Sequence, residues 1–466
     1  MPYHALLRPF LALPLIVCFL HAQGTEEKES DPRVLKKLEW FQDQKFGLLM
    51  HWGTYSQWGI VESWSLCNED EGWCERKGPY ARDYNEYKKA YENLITTFNP
   101  TRFDPARWAA AAKDAGFRYL VFTTKHHDGF CMFDTKQTDY KITSTRCPFH
   151  TSPRANITKS LFDAFRAEGI ATGTYFSKPD WNIPYYWDPY WQHADRNLNY
   201  SIKKYPEKWK RFCDFTYKQI EELMTGYGPI DILWLDGGWV DPKNRDQDVG
   251  IPRIAAMARS HQPGLIVVDR AVPGRYENYR TPEQEVPEKP LPYIWETCMT
   301  MATSWSYVAT DTYKPAGKLI HLLVDIVAKG GNFLLNVGPS PEGELAPDAY
   351  ARMRDIGAWL RINSEAIYGT RPVAPYKESN ICFTRAKDGA IHAIYLTEQN
   401  EHTLPATITV RSFQPAPGSA VRLLGHPVPL RWEADGPGMK VYIPEALRTK
   451  PPCAHAWVLR MEKPGR

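Results

Sequence analysis

Ile230-Asp231-Ile232-Leu233-Trp234-Leu235-Asp236-Gly237-Gly238-Trp239 is the stretch on which the reading of the whole chain turns. Its apolar run is too short for a helix and fits a strand buried on both faces, the habit of parallel sheets. It ends in a carboxylate followed by two glycines. Upstream, Lys208 to Met224 has helical spacing; downstream, a helical stretch follows Pro252 and leads to a second apolar run, Leu265 to Val268. The same alternation extends from about Asp31 to Arg371. Strands are predicted at Phe46 to His51, Tyr119 to Thr123, Ile170 to Phe176 and Asn332 to Val337, and helices at Pro105 to Gly116, Ser160 to Glu168, Leu319 to Ala328 and Pro347 to Asn363. Such alternation defines a parallel α/β fold. A doubly wound sheet would carry a Gly-rich phosphate turn after its first strand, and none is present. Polar groups instead gather just after strand ends, at His51-Trp52, Lys125-His126-His127-Asp128, Lys178-Pro179-Asp180 and Asp236-Gly237-Gly238. That is where a TIM-like (β/α) barrel keeps its functional residues, and such a barrel is predicted over residues 23–371.

After Pro372 the texture changes to short runs: Ile381 to Thr384, Ile391 to Leu396, Ala406 to Val410, Val421 to Leu424, Met439 to Ile443 and Ala456 to Leu459. Turns such as Lys387-Asp388-Gly389 separate some of them, so an antiparallel β-sandwich is predicted over residues 372–466. Residues 1–22 read as a secretory signal: Arg8 supplies positive charge, Phe10 to Leu20 form an apolar run too short for an ordinary span, and Ala22 precedes a polar stretch. Export follows, to the periplasm or extracellular space, or the lysosome in a eukaryote; an uncleaved anchor is the alternative. Cys18 would leave with the signal. The other cysteines show no CxxC pair and no zinc spacing, although Cys67 and Cys74 are close enough in sequence to bridge.

Lys and Arg number 57 against 54 Asp and Glu, for a net charge of +3, which gives no electrostatic reason to expect nucleic acid or an anionic membrane as partner. Seventeen Trp and 26 Tyr are many for this length. Their flat faces suit the axial C–H groups of sugars, although core packing accounts for many of them.

Asp236 is the leading catalytic candidate. A carboxylate at a barrel strand tip is held rigidly, the glycines allow close approach, and such a group can attack an anomeric carbon. Capping the next helix is the alternative role. His51, His126 and His127 at strand ends are suited, as neutral imidazoles, to donate hydrogen bonds to sugar hydroxyls; adjacent His126 and His127 are an unusual metal pair, and no metal or cofactor is expected. A second carboxylate must protonate the leaving oxygen, and Glu277, Glu283, Glu285, Glu288 and Glu296 all follow Asp236. Glu283, in Arg280-Thr281-Pro282-Glu283-Gln284, ranks ahead of Glu296, which begins a strand and serves equally well as a structural hydrogen-bonding group. Arg270 could hold a carboxylate or ring oxygen, or form an ion pair with Asp269 or another barrel-rim acid.

The runs Met50-His51-Trp52-Gly53-Thr54-Tyr55-Ser56, Thr124-Lys125-His126-His127-Asp128-Gly129-Phe130, Trp234-Leu235-Asp236-Gly237 and Gly330-Gly331-Asn332-Phe333-Leu334-Leu335-Asn336-Val337-Gly338-Pro339 together resemble the α-L-fucosidases of glycoside hydrolase family 29. The resemblance covers nearly all of the mature chain. It implies an irregular (β/α) barrel followed by a β-sandwich, retaining double displacement without a cofactor, and fucosylated oligosaccharides or glycoconjugates as substrates. It makes Asp236 the nucleophile and places His51, His126, His127, Trp234 and Arg270 around fucose. It also maps an acidic–aromatic pair onto Glu62 and Trp64, with Ser63 standing between residues expected to be adjacent. A non-catalytic sugar-binding protein, a galactosidase and a metal-dependent hydrolase are the competing readings. Linkage preference and oligomeric state stay open.

Overall fold

The structure, a computed structural model, describes residues 28–67, 74, 76, 78–192, 195–397 and 403–462. The expected signal at residues 1–22 lies outside the described residues. Seven strands form one sheet: β1 (Phe46–Met50), β2 (Tyr119–Lys125), β3 (Ala171–Ser177), β4 (Ile232–Asp236), β5 (Ile266–Asp269), β6 (Glu296–Thr300) and β7 (Asn332–Val337). Their order is β5-β4-β3-β2-β1-β7-β6 and every pairing is parallel. Helices α1 (Pro32–Gln44), α2 (Tyr84–Glu92), α3 (Pro105–Ala115), α4 (Ile157–Ala167), α5 (Pro206–Gly226), α6 (Ile251–His261), α7 (Ala316–Ala328) and α8 (Pro347–Asn363) alternate with the strands. Local chemistry starts several of them. Asp31 and Asp104 accept backbone N–H bonds as N-caps, each followed by a proline in the first turn.

The gap between β5 and β6 is filled by residues 276–284, which carry no strand pattern. Asp269 N donates to Tyr276 O and Asn278 N to Val267 O on one side; Glu296 N donates to Arg280 O and Gln284 N to Cys298 O on the other. This irregular segment therefore takes the eighth position of the barrel, and Glu283 rides on it.

Strand parity sorts the side chains. Leu49, Val121, Tyr175, Ile232, Trp234, Val268 and Leu334 belong to the core of the bore, whereas Leu48, Leu120, Phe176, Leu233, Val267 and Leu335 pack outward against the helices. Val34, Leu38 and Phe41 of α1 join the bore cluster, and Phe41 stacks on Tyr279 at 4.3 Å, so α1 plugs the floor. The open end is thus the C-terminal one.

From Arg371 onward the strands are antiparallel. A five-stranded sheet has the order β12 (Val421–Leu423), β15 (Ala456–Met461), β10 (Ile391–Leu396), β9 (Ile381–Arg385), β8 (Arg371–Glu378), and a three-stranded sheet the order β11 (Thr407–Val410), β14 (Gly438–Tyr442), β13 (Trp432–Asp435). Phe383, Ala393, Val410, Val441 and Leu459 share the core between them. Cys382, Ile394 and Val458 face the other way and join the barrel's core, where Trp359 Nε1 of α8 donates to Ala456 O. The sequence does not show β8 or β13, and both are edge strands. Pro372 and Pro375 are tolerated in β8 because an edge has backbone groups with no ladder to complete.

Candidate active site

The inward parity that buries Ile232 and Trp234 carries Asp236 to the mouth of the bore, and the same rule applied to Val268 and Leu334 brings in Arg270 and Asn336. On β2 a register shift between Thr123 and Lys125 breaks the alternation. Lys125 turns out, over the Phe176 ring, and forms a buried 3.1 Å ion pair with Asp180. His126 and His127 then fall on the bore side. Gly129 makes the tight exit possible: its φ is +79°, and a Cβ there would lie 2.3 Å from Asp180 Oδ1. Gly237 does the same after Asp236, with φ +88° and Pro179 closing against it.

Asp236 is buried, and both of its oxygens are engaged. Arg270 Nη1 donates to Oδ1 at 2.8 Å, Tyr175 OH donates to Oδ2 at 2.5 Å, and His127 Nε2 is 3.8 Å from Oδ2. Burial pushes the carboxyl pKa up, but the Arg270 charge and the Tyr175 hydrogen bond outweigh it and hold the group well below the usual carboxylate range. The second terminal nitrogen of Arg270, Nη2, donates to Glu283, while Nε reaches Thr281 Oγ1 at 3.2 Å and the guanidinium lies 5.2 Å over the Trp234 ring. One guanidinium thus joins Asp236 and Glu283. Asp269 pairs with Lys178 instead, so the Arg270–Asp269 alternative is not what the fold builds.

The three histidines form one cluster: ring centroids of His51 and His126 are 5.6 Å apart, those of His126 and His127 4.2 Å. Burial lowers all three pKa values, His51 and His127 to about 4, so the rings are neutral at ordinary pH. Their Nδ1 atoms face Asn336 Oδ1, Ser63 Oγ and Ser177 Oγ respectively. Asn336 Nδ2 donates to Trp305 O, which fixes its Oδ1 as an acceptor. Ser177 Oγ donates to Pro179 O and can only accept from His127. His51 and His127 therefore carry their proton on Nδ1 and present Nε2 as an acceptor. This reverses the expectation that they donate to sugar hydroxyls: a hydroxyl would donate to them.

Ser63 and Trp64 reach this cluster, and Glu62 feels the charges of Glu283 and Asp236. Glu62 is buried at φ +26° and accepts from Ser306 N at 2.9 Å. Its pKa is raised to about 8, chiefly by burial, with Glu283 and Asp236 adding repulsion and the Ser306 N–H opposing. The interposed Ser63 meets His126, and the Trp64 ring meets His127 edge-on at 5.0 Å. Ser63, Tyr175, Ser177 and Asn336 were not singled out from sequence. Tyr175, Ser177 and Asn336 could have been found by continuing strand parity to the strand ends; Ser63 had no such signal.

Glu296 is not brought to the mouth. It is the first residue of β6, at the closed end, fully buried, and accepts from Tyr119 OH at 2.5 Å. Burial raises its pKa to about 7, opposed by the Tyr119 hydrogen bond and by the neighbouring Tyr279 and Trp234 polar groups. Trp234 separates it from the Arg270 layer. A proton donor for the leaving group must stand at the mouth, a position that Glu283, bonded to Arg270, has and Glu296 has not.

His126, His127 and Asp236 bring one potential ligand atom each to within 4.8 Å of one another. The guanidinium already bonded to Asp236 would repel a second cation there, and the donor set suits hydroxyl groups better.

Fold and site together define a barrel glycoside hydrolase: a buried, ionised carboxylate and a partly exposed one joined by one guanidinium at a bore mouth lined by neutral imidazoles and indoles. The family model for Alpha-L-fucosidase matches residues 19–365, and that for the Alpha-L-fucosidase C-terminal domain matches residues 376–462. The chain belongs to the α-L-fucosidase family, glycoside hydrolase family 29. An alpha-L-fucosidase of Branchiostoma floridae is 27% identical over 96% of this chain and 97% of its own length. Alpha-L-fucosidase isoenzyme 1 from Paenibacillus thiaminolyticus is similar in structure, with TM-score 0.74 and 29% identity over 92% of this chain and 100% of that one. The Thermotoga maritima alpha-fucosidase in complex with fucose gives TM-score 0.70 and 27% identity over 90% and 96%.

Proposed function

We propose that this enzyme removes terminal α-L-fucose from glycans by retaining double displacement, with Asp236 as nucleophile and Glu283 as acid/base. The observation that carries the reading is the shared guanidinium: Arg270 bonds Asp236 through Nη1 and Glu283 through Nη2 at the open end of the bore. Two carboxylates within the span of one guanidinium favour the short separation of a retaining pair, about 5–5.5 Å, over the wider inverting geometry. Asp236, kept ionised by Arg270 and Tyr175, attacks the anomeric carbon. Glu283, partly exposed, takes its proton from solvent and delivers it to the leaving oxygen; its contact with Arg270 gives way as it does so. In the second step the carboxylate of Glu283 removes a proton from water, which displaces Asp236 and regenerates both groups.

His51 and His127 accept from fucose hydroxyls, protonated Glu62 donates to another, and Trp64 and Trp234 supply apolar surface. These contacts tighten as oxocarbenium character develops. The apolar leader at residues 1–22 supports export, and among the described residues no helix is long and apolar enough to cross a membrane. Hydrolysis of an aryl α-L-fucoside beside the aryl β-D-galactoside, with the first-formed anomer followed by NMR, tests the reading. Initial release of α-L-fucose is expected; β-L-fucose as first product, or preference for the galactoside, overturns it.

A further inference from the structure

Away from the bore, the connection from β3 to α5 builds a groove of about 710 Å³ whose lining includes Trp191, Leu198, Tyr200 and Tyr205. Trp191 packs against Tyr205 at 5.1 Å and Tyr200 at 6.3 Å, and exposed Tyr190 stands edge-on to it. Few large apolar side chains are exposed among the described residues, yet Tyr190 at 84% and Tyr205 at 42% both sit here. Ringed aromatic faces with hydrogen-bonding groups beside them are what a pyranose needs: C–H groups on the ring, hydroxyls to the rim.

Rim charge narrows the ligand. Arg245 pairs with Asp195, Lys203 with Asp246 at 3.2 Å, and Lys208 with Asp188 while lying 5.3 Å over both Trp191 and Tyr200. Among the lining residues Lys203, Lys204 and Arg245 stand against Asp195 and Asp246, a near balance that suits a neutral sugar better than a polyanionic one.

The groove also borders the mouth. Arg196 lies 5.1 Å over Trp64 and 5.2 Å over Trp239, the two indoles that pack on His127, and its carbonyl accepts from Trp181 Nε1 and Trp239 Nε1. Two residues later the chain lines the groove, where Arg245 Nη1 donates to Leu198 O at 3.3 Å. One short segment is thus the outer wall of the mouth and the inner wall of the groove. We infer that the groove is a second carbohydrate subsite, holding a neutral sugar of the same glycan whose fucose enters the bore; the inference rests on the fucosidase reading.

The test compares Trp191→Ala and Tyr205→Ala with the wild type on 4-nitrophenyl α-L-fucoside and on a fucosylated mucin glycopeptide. For the glycopeptide, kcat/KM should fall about tenfold through KM, as loss of one aromatic contact implies, while the aryl fucoside is turned over unchanged. Unchanged rates on both substrates, or equal losses on both, overturn the subsite. A wild type that hydrolyses neither substrate refutes the fucosidase reading instead. Titration with the enzymatically defucosylated glycopeptide, followed by Trp fluorescence, then judges the groove on its own. Binding by the wild type that Tyr205→Ala, a change at an exposed ring, weakens supports it; absent or equal binding refutes it.

Discussion

Asp236 and Glu296 are both buried acids on strands of one bore, and their surroundings drive them in opposite directions. Burial alone would raise both pKa values. At the mouth, Arg270 and the Tyr175 hydroxyl reverse that effect, and Asp236 stays ionised. On the floor, Glu296 meets Tyr119, Tyr279 and Trp234 with no cation among them, and its pKa rises to about 7. The difference teaches that burial does not distinguish a reactive carboxylate from a structural one; the charge of its neighbours does.

The comparison breaks most decisively at Asp236. Asp236→Ala should lower kcat on an aryl fucoside by on the order of 10⁴-fold, with little loss of thermal stability. Added azide should then yield the β-L-fucosyl azide, because it replaces the nucleophile. Near-wild-type turnover by the folded variant would falsify the assignment. Glu283→Ala should cost about 10²–10⁴-fold, most for substrates with poor leaving groups, and azide should give the α-L-fucosyl azide. If Glu296→Ala behaved that way and Glu283→Ala did not, mouth and floor would have been confused.

The pH profile sharpens the contrast further. Protonating His51 and His127 near pH 4 turns hydroxyl acceptors into donors, and ionising Glu62 near pH 8 sets a new negative charge beside Asp236. A bell-shaped kcat/KM with limbs in those two regions is expected, and Glu62→Gln should remove the alkaline limb. A limb that persists in Glu62→Gln belongs to another group.

The smallest effect on activity is expected at the floor, where Glu296→Gln should change kcat/KM by no more than a few-fold. Its signature is in stability. The folded pKa of Glu296 exceeds the unfolded value, so its contribution is fully present below about pH 4.5 and is lost as pH rises through about 7. The variant should lose less stability than the wild type between about pH 4.5 and 7; identical stability curves would show that Glu296 ionises without cost. His51 and His127 act in the opposite sense. Their folded values lie below the unfolded one, so their contribution is present above about pH 6.5 and is lost as pH falls toward 4.

Legibility in the sequence followed the same division. Parallel strands are continuous apolar runs, so β4 and the carboxylate at its tip could be read residue by residue, as could the histidines after β1 and β2. Residues 276–284 could not. They occupy a strand's place in the ring but contain Arg280-Thr281-Pro282, without alternation or an apolar run, so Glu283 looked like one loop acid among several. The edge strands β8 and β13 were hidden for a related reason: with no neighbour on one side, neither prolines nor charges are excluded.

The sequence by itself determined the alternation of strands and helices, the antiparallel sheet that follows, the family resemblance and the strand-tip position of Asp236. These depend on periodicity and on neighbours along the chain. Only the tertiary structure decided which later glutamate shares Arg270 with Asp236, which ring nitrogen each histidine presents, and that Ser63 joins the site. Those outcomes depend on closure of the barrel, which sets residues from distant segments side by side in low dielectric, where a single cation or hydroxyl fixes the protonation of its neighbour.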